Sequence, residues 1–241
     1  MSEEVLAGPE GKNIEKLFAS IAGTYDLAND VITFGIARRW RRQLVRWAMQ
    51  STPNAKKILD CATGTGDLAF DFRRMIKDSD VIGSDFCEPM LAVARRKTKP
   101  RDFAHIQFDF ADATKLPYPD NEFDICSIAY GIRNVSNVVT ALNEMARVTR
   151  PGGSVMILET GVIENPVLRG PVRLYFERIV PRLGGLVSGR RAAYEYLQQS
   201  SGRFPSGESF CDLAMSTGHF ASVEYRPLLG GASYVYCAVV K

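Results

Sequence analysis

Histidine is nearly missing from this 241-residue chain, which has two in all, His105 and His219. Cysteine is sparse: five residues (Cys61, Cys87, Cys126, Cys211 and Cys237) with no Cys-x-x-Cys pair. A Cys/His zinc site therefore lacks its ligands and no metal is expected. Scattered thiols in odd number fit the reduced, mostly buried cysteines of a cytoplasmic protein. Long apolar runs are absent too. No stretch of about 18 apolar residues occurs, so no membrane-spanning helix is expected. The acidic, polar start MSEEVLAGPEGKNIEK has no signal-peptide core. Nor does charge of one sign dominate: 30 Lys and Arg stand against 27 Asp and Glu, a net +3. That surplus does not mark a dedicated nucleic-acid binder. What remains, 46% apolar and 24% charged residues, is the composition of a globular protein, and it excludes a disordered chain, a fibre and a disulfide-stapled miniprotein.

No internal repeat or low-complexity tract is visible. Residues 14–50 read as helical, with a break near Asn29–Gly35, and Trp40, Leu44, Trp47 and Ala48 share one helical face. After Ser51-Thr52-Pro53-Asn54 the period changes. Strands are expected at 57–62, 81–85, 105–109, 123–129 and 154–159, with helices at 68–75, 88–96 and 138–148 between them. That alternation predicts a Rossmann-like, doubly wound, mostly parallel α/β sheet. Residues 161–205 interrupt it with an apolar helical face (Val172, Tyr175, Phe176, Ile179, Val180, Leu183) broken at Pro181 and Gly184-Gly185. A helix at 209–216 and strands at 222–225 and 233–240 then resume the sheet. The expected organisation is a helical cap over 1–50 and a cofactor-binding domain over 51–241, whose insertion at about 161–205 serves as a lid.

The informative turn is Asp60-Cys61-Ala62-Thr63-Gly64-Thr65-Gly66, between a strand and a helix. Gly64 and Gly66 permit a sharp turn and close approach of a ligand to the main chain. Asp85 ends the second strand, where a carboxylate can accept both hydroxyls of a ribose. Asp112, after the third strand, can meet an adenine amino group. Any one of these acids can equally be a loop cap, but three at three successive strand ends point to a nucleoside. A dinucleotide needs a helix N-terminus open to pyrophosphate. Here Asp67 follows the glycines at once, which favours a ligand bearing an amino group and a sulfonium, such as S-adenosylmethionine.

The segment Asp60–Gly66, Asp85, Asp112-Ala113, Leu116-Pro117-Tyr118-Pro119 and Arg150-Pro151-Gly152-Gly153 resemble the motifs of class I S-adenosylmethionine-dependent methyltransferases. Phe18–Asp30, Ser127–Val135 and Tyr194–Ser200 narrow the resemblance to the ubiquinone/menaquinone biosynthesis C-methyltransferases, over about residues 14 to 231. The resemblance implies that Thr65, Asp85, Asp112, Ala113 and Ala129 contact the cofactor, Ala129 through its backbone, and that Arg133 and Asn134 face the ring of a polyprenyl hydroquinol. The implied reaction methylates a ring carbon, with demethylmenaquinol going to menaquinol. An arginine stays charged at any relevant pH and favours an ionised ring oxygen. A water held by Arg133 and Asn134 would take the proton, with Tyr25 or Asp26 contributing. Three positions depart from the family pattern: Ala37 and the segment Gly231–Tyr236 lack its histidines, and Leu158-Glu159-Thr160-Gly161 replaces Leu-Glu-Phe-Ser.

A polyprenyl substrate lives in a bilayer. Two basic clusters, Arg38, Arg39, Arg41, Arg42 and Arg46 with Trp40 and Trp47, and Arg173, Arg178, Arg182, Arg190 and Arg191, suit peripheral contact with an anionic inner-membrane surface, although a solvated basic face reads the same way. A homo-oligomer stays open. The alternatives are a small-molecule O- or N-methyltransferase of the same fold and an RNA-binding methyltransferase. The latter lacks an interleaved aromatic platform for bases.

Overall fold

A computed structural model describes residues 11–98, 103, 105–163, 170–172, 174–201 and 204–241. Three helices lead: α1 (Gly11–Ile21), α2 (Tyr25–Thr33) and α3 (Ile36–Ser51). The alternation follows as β1 (Lys57–Cys61), α4 (Asp67–Met75), β2 (Asp80–Asp85), α5 (Glu88–Lys97), β3 (Ile106–Phe110), β4 (Phe123–Ala129), α6 (Val138–Val148) and β5 (Thr149–Thr160). A π-helical turn (Tyr175–Ile179) runs into α7 (Val180–Ser188) and α8 (Arg191–Ser201), and α9 (Glu208–Ser216), β6 (Phe220–Leu228) and β7 (Ser233–Val240) close the fold.

The seven strands lie in the order β3-β2-β1-β4-β5-β7-β6. The first five are parallel, and β7 inserts antiparallel between β5 and β6. This is the expected α/β sheet, and near-continuous apolar strands explain why both faces are covered. Leu59, Ile128, Val155 and Ile157 pack on one face against Leu142 and Met145 of α6. Ile58, Ile125, Met156 and Leu158 pack on the other against Leu44, Ala48 and Phe72. The strand order reverses where β1 lies between β2 and β4. At such a switch point the chains leaving adjacent strands diverge, opening a crevice at the carboxyl ends.

A third cluster joins Ile21, Ala28 and Ile32 of the leading helices to Val180, Ala193 and Tyr194 beyond the sheet. Here the structure corrects the sequence reading twice. The break expected near Asn29–Gly35 is confined to Phe34 (φ 50°) and Gly35 (φ 73°), and α2 runs to Thr33. Pro181 does not interrupt its helix either. It directly follows the π-helical turn, with helical backbone on both sides, so its missing N–H leaves the ladder irregular there without ending the helix. Gly184 is inside α7 because the Tyr194 ring presses against it: a Cβ there would stand 2.3 Å from the ring. Arg173 and positions 164–169 of the expected lid lie outside the described residues, as do positions 1–10 and the side chain of Phe176.

Candidate active site

The β1–α4 turn and the end of β2 form one hydrogen-bonded unit. Asp85 Oδ2 accepts the Gly64 N–H at 2.8 Å, and Oδ1 accepts the Cys87 N–H at 2.8 Å. Asp60 accepts from the Thr63 hydroxyl at 2.6 Å and the Ser127 hydroxyl at 2.9 Å. Both acids are buried, and burial, which penalises their charged forms, pushes Asp60 up to about 7 and Asp85 up to about 6. Each carboxylate retains lone pairs beyond the bonds it makes, so both are poised to gain from a cationic or hydroxyl-bearing ligand.

Two cavities open at this crevice. The first is lined by Asp60, Thr65, Ile32, Trp40, Arg133 and Tyr194, among others. The second is lined by Asp85, Asp112, Ala113, Phe18, Met90 and Asn134, among others. Five residues line both: Tyr25, Ala62, Gly64, Ala129 and Tyr130. They form a partition that either occupant would touch. Gly64 belongs there because its backbone is left-handed (φ 57°) and an added Cβ would meet no protein atom within 4 Å.

Gly66 is different. It lines neither cavity, and a Cβ there would stand 2.7 Å from the Phe108 ring. Its role is packing of the turn against β3. Asp26 is also placed away from both cavities. It accepts the Thr65 hydroxyl and pairs with Lys97, tying α2 to the glycine turn from outside. That geometry does not support the proton-accepting role expected from sequence. Tyr25 remains at the partition, but burial raises its phenol above the ordinary tyrosine value, so it stays protonated and donates rather than accepts. Asp112 lines the second cavity, with Oδ1 accepting the Thr114 N–H and hydroxyl at 2.8 Å each. Asp67 pairs with Arg41 at 2.7 Å and Lys97 at 3.0 Å. Its charge is compensated, which weakens the repulsion argument against a dinucleotide.

Arg133 and Asn134 sit in a short helical turn after β4. Asn134 is committed to the protein: its amide donates to Tyr130 O at 3.4 Å and its carbonyl accepts from Tyr196 at 3.3 Å. It faces the second cavity, not the one that Arg133 lines. Arg133 donates to Tyr130 O at 3.1 Å and forms an ion pair with Glu159. Only 6% of the Arg133 side chain and none of that of Glu159 is exposed. This buried pair, rather than a surface carboxylate, holds the guanidinium. Sequence reasoning left Glu159 and Tyr130 unassigned. An acid closing the apolar run Val155–Leu158 was the available signal for Glu159. Tyr130 gave none, because its left-handed backbone (φ 56°) is visible only in the fold.

The residues present fit S-adenosylmethionine. Buried Asp60 suits an amino group, Asp85 a ribose diol, and the apolar walls from Phe18, Met90 and Ala113 an adenine. Among the described residues no group of three or more His, Cys, Asp or Glu could hold a metal ion.

Residues 7–240 match the model of the ubiE/COQ5 methyltransferase family. The chain is 46% identical over 233 residues to the ubiquinone/menaquinone biosynthesis C-methyltransferase of Bdellovibrio bacteriovorus, covering 97% of this chain and 98% of that one. It is 41% identical to the demethylmenaquinone methyltransferase of Thermus thermophilus, covering 91% and 98%. Among solved structures it is similar to an S-adenosylmethionine-dependent methyltransferase of Thermotoga maritima, a possible histamine N-methyltransferase, with a TM-score of 0.62, 20% identity and coverage of 94% and 99%. At that identity the likeness speaks for the fold.

Proposed function

The chain belongs to the ubiE/COQ5 methyltransferase family, and from that premise we propose how its two cavities share the methylation of a quinol. It is an S-adenosylmethionine-dependent C-methyltransferase of quinone biosynthesis. We take demethylmenaquinol as the acceptor, because the menaquinone ring is common to the names of both groups of relatives. Bound S-adenosylmethionine supplies an electrophilic methyl carbon on sulfur.

The second cavity takes the nucleoside: Asp85 receives the ribose hydroxyls, while Asp112 and Ala113 border the adenine. Asp60 and Thr65 take the amino-acid end beyond the partition. The acceptor ring occupies the first cavity, between Ile32, Trp40, Val180 and Tyr194, with its hydroxyl toward Arg133. Alignment of ring carbon and methyl carbon in direct contact, where the two cavities meet, is the main catalytic device, since well-positioned reactants gain on the order of 7–11 kcal/mol over free encounter. Arg133 adds charge stabilisation of the ionised ring oxygen in a water-poor site. The helices α1, α2, α3, α7 and α8 act as a cover, with the Asp26–Thr65 contact as its latch. The single observation that carries this division is the partition of Tyr25, Ala62, Gly64, Ala129 and Tyr130. Labelled-methyl transfer to reduced demethylmenaquinone, and none to the oxidised form, is the expected result. Equal transfer to both forms would overturn the mechanism, and preference for a benzoquinol would overturn the acceptor.

The same chemistry calls for contact with lipid. Exposed Phe34, Ile36 and Ile179 adjoin in sequence the cavity-lining Thr33, Ala37 and Val180. Phe34 is 76% exposed and Leu27 61%. Exposed Arg39, Arg178 and Arg182 stand in the same segments. We infer that this apolar, basic rim rests on an anionic lipid surface and admits the polyprenyl tail. Among the described residues no helix is long and apolar enough to cross a membrane. Sedimentation with vesicles should rise with anionic lipid and fall for Phe34→Ser, and binding indifferent to both would remove the rim from the account.

A further inference from the structure

Behind the wall of the first cavity lies a buried acid that the reaction above leaves idle. Glu159 is wholly buried at the end of β5. Its Oε1 accepts three bonds: from Arg133 Nη1, from the Thr160 N–H at 2.7 Å and from the Thr160 hydroxyl at 3.1 Å. Its Oε2 has no hydrogen-bond partner among the described residues. Arg133 and Thr160 both line the cavity; Glu159 stands behind them. Thr160 thus places a hydroxyl between the cavity and the acid.

We propose that Glu159 takes the proton of the acceptor's ring hydroxyl through the Thr160 hydroxyl, while Arg133 exchanges its carboxylate partner for the ring oxygen. The inference rests on the quinol reading above. The ring hydroxyl passes its proton to Thr160 Oγ1 as Thr160 passes its own to Glu159. The bond already drawn between Thr160 and Glu159 reverses direction. The ring oxygen keeps the electron pair, and ring carbon made nucleophilic by that charge forms the bond to the methyl carbon as the carbon–sulfur pair leaves with sulfur. The ring carbon then loses its own proton to solvent, and Glu159 returns its proton through Thr160 to the ring oxygen.

Charge conservation is the physical reason. Arg133 and Glu159 are neutral as a pair before the transfer. Afterwards Arg133 and the ring oxygen are neutral as a pair, and Glu159 is an uncharged acid. Release of the same proton to bulk water would leave an extra negative charge in a buried site, which is expensive. The unpartnered Oε2 agrees with this, because a buried oxygen without a partner is a smaller burden on a neutral acid than on a carboxylate.

The test compares Glu159→Gln and Thr160→Val with the wild type on demethylmenaquinol. If the wild type itself methylates no quinol, the acceptor assignment fails; the outcomes below apply once it does. Glu159→Gln should keep donor affinity by calorimetry and lose about 100-fold or more in turnover at neutral pH, the scale of general base catalysis. The deficit should shrink as pH rises and with a halogenated acceptor whose hydroxyl is more acidic. Thr160→Val, which changes no charge, should show a smaller loss with the same pH and acceptor dependence, and it decides the matter if the glutamine variant does not fold. A loss independent of pH and acceptor acidity in Thr160→Val, or wild-type turnover in either variant, would overturn the proposal.

Discussion

The two halves of the site are built by different means. The donor side is made of strand ends: Asp60, Asp85 and the glycine turn are held by backbone and hydroxyl bonds of 2.6–2.9 Å inside one sheet. The acceptor side is assembled from α2, α7 and α8, meeting across a separate apolar cluster, together with Ala37 and Trp40 of α3. The first is rigid wherever the sheet forms. The second exists only when distant helices close over the sheet, and it includes the buried Arg133–Glu159 pair.

The sharpest way to break this contrast is Arg133→Met. It strands the Glu159 charge and should destabilise the protein by about 3–5 kcal/mol. Methyl transfer should be lost while donor affinity in the folded fraction is kept, as read by calorimetric melting beside donor titration. Asp85→Asn attacks the other half. Hydrogen bonds to a charged group are worth about 1.5–3 kcal/mol, so donor affinity should weaken by roughly 10- to 100-fold. A titration showing unchanged affinity would remove Asp85 from the donor seat.

Acidity separates the halves further. Asp60 is raised to about 7 and Asp85 to about 6. In the unfolded chain both titrate near 3.8. The folded, ligand-free protein therefore binds more protons between those limits. Its stability from these groups is full below the unfolded value and declines as pH rises through about 6 to 7. Donor affinity runs the opposite way, because the amino group favours the ionised acids. The thermal shift on adding donor should grow from pH 5.5 to pH 7.5, assay points set by these values; a flat shift would contradict the assignment.

Two glycines sharpen the boundary at lower energy. Gly64→Ala and Gly66→Ala both force a left-handed alanine, at about 1–2 kcal/mol. Gly66→Ala should add a clash with Phe108 and lower stability more. Gly64→Ala should weaken donor binding more, because its methyl enters the cavities. The smallest effect is expected for Asp26→Asn. Asp26 and Lys97 are each about a third exposed, so their pair is worth about 0.2–1 kcal/mol; the asparagine can still accept the Thr65 hydroxyl, and the loss should show as a slightly higher KM.

The same contrast governs what could be read from the sequence. Strands with apolar runs, and β4, α6 and β7 to the residue, were legible because local composition decides them. The position of Asp85 and Asp112 at the crevice was legible because strand ends place acids at fixed spacing. Gly66 and Asp26 stand outside the two cavities, against Phe108 and Lys97, because a motif records that a residue is needed, not what it meets. Glu159 was hidden for a related reason. Its meaning depends on Arg133 across the β4–β5 pairing, and no local pattern encodes that meeting.

The shared wall has a practical consequence for redesign. Trimming Tyr25 or Tyr130 to admit a bulkier ring would also reshape the nucleoside seat. An enzyme with altered acceptor preference should instead be carved from Ile32, Trp40 and Val180, which border the first cavity alone.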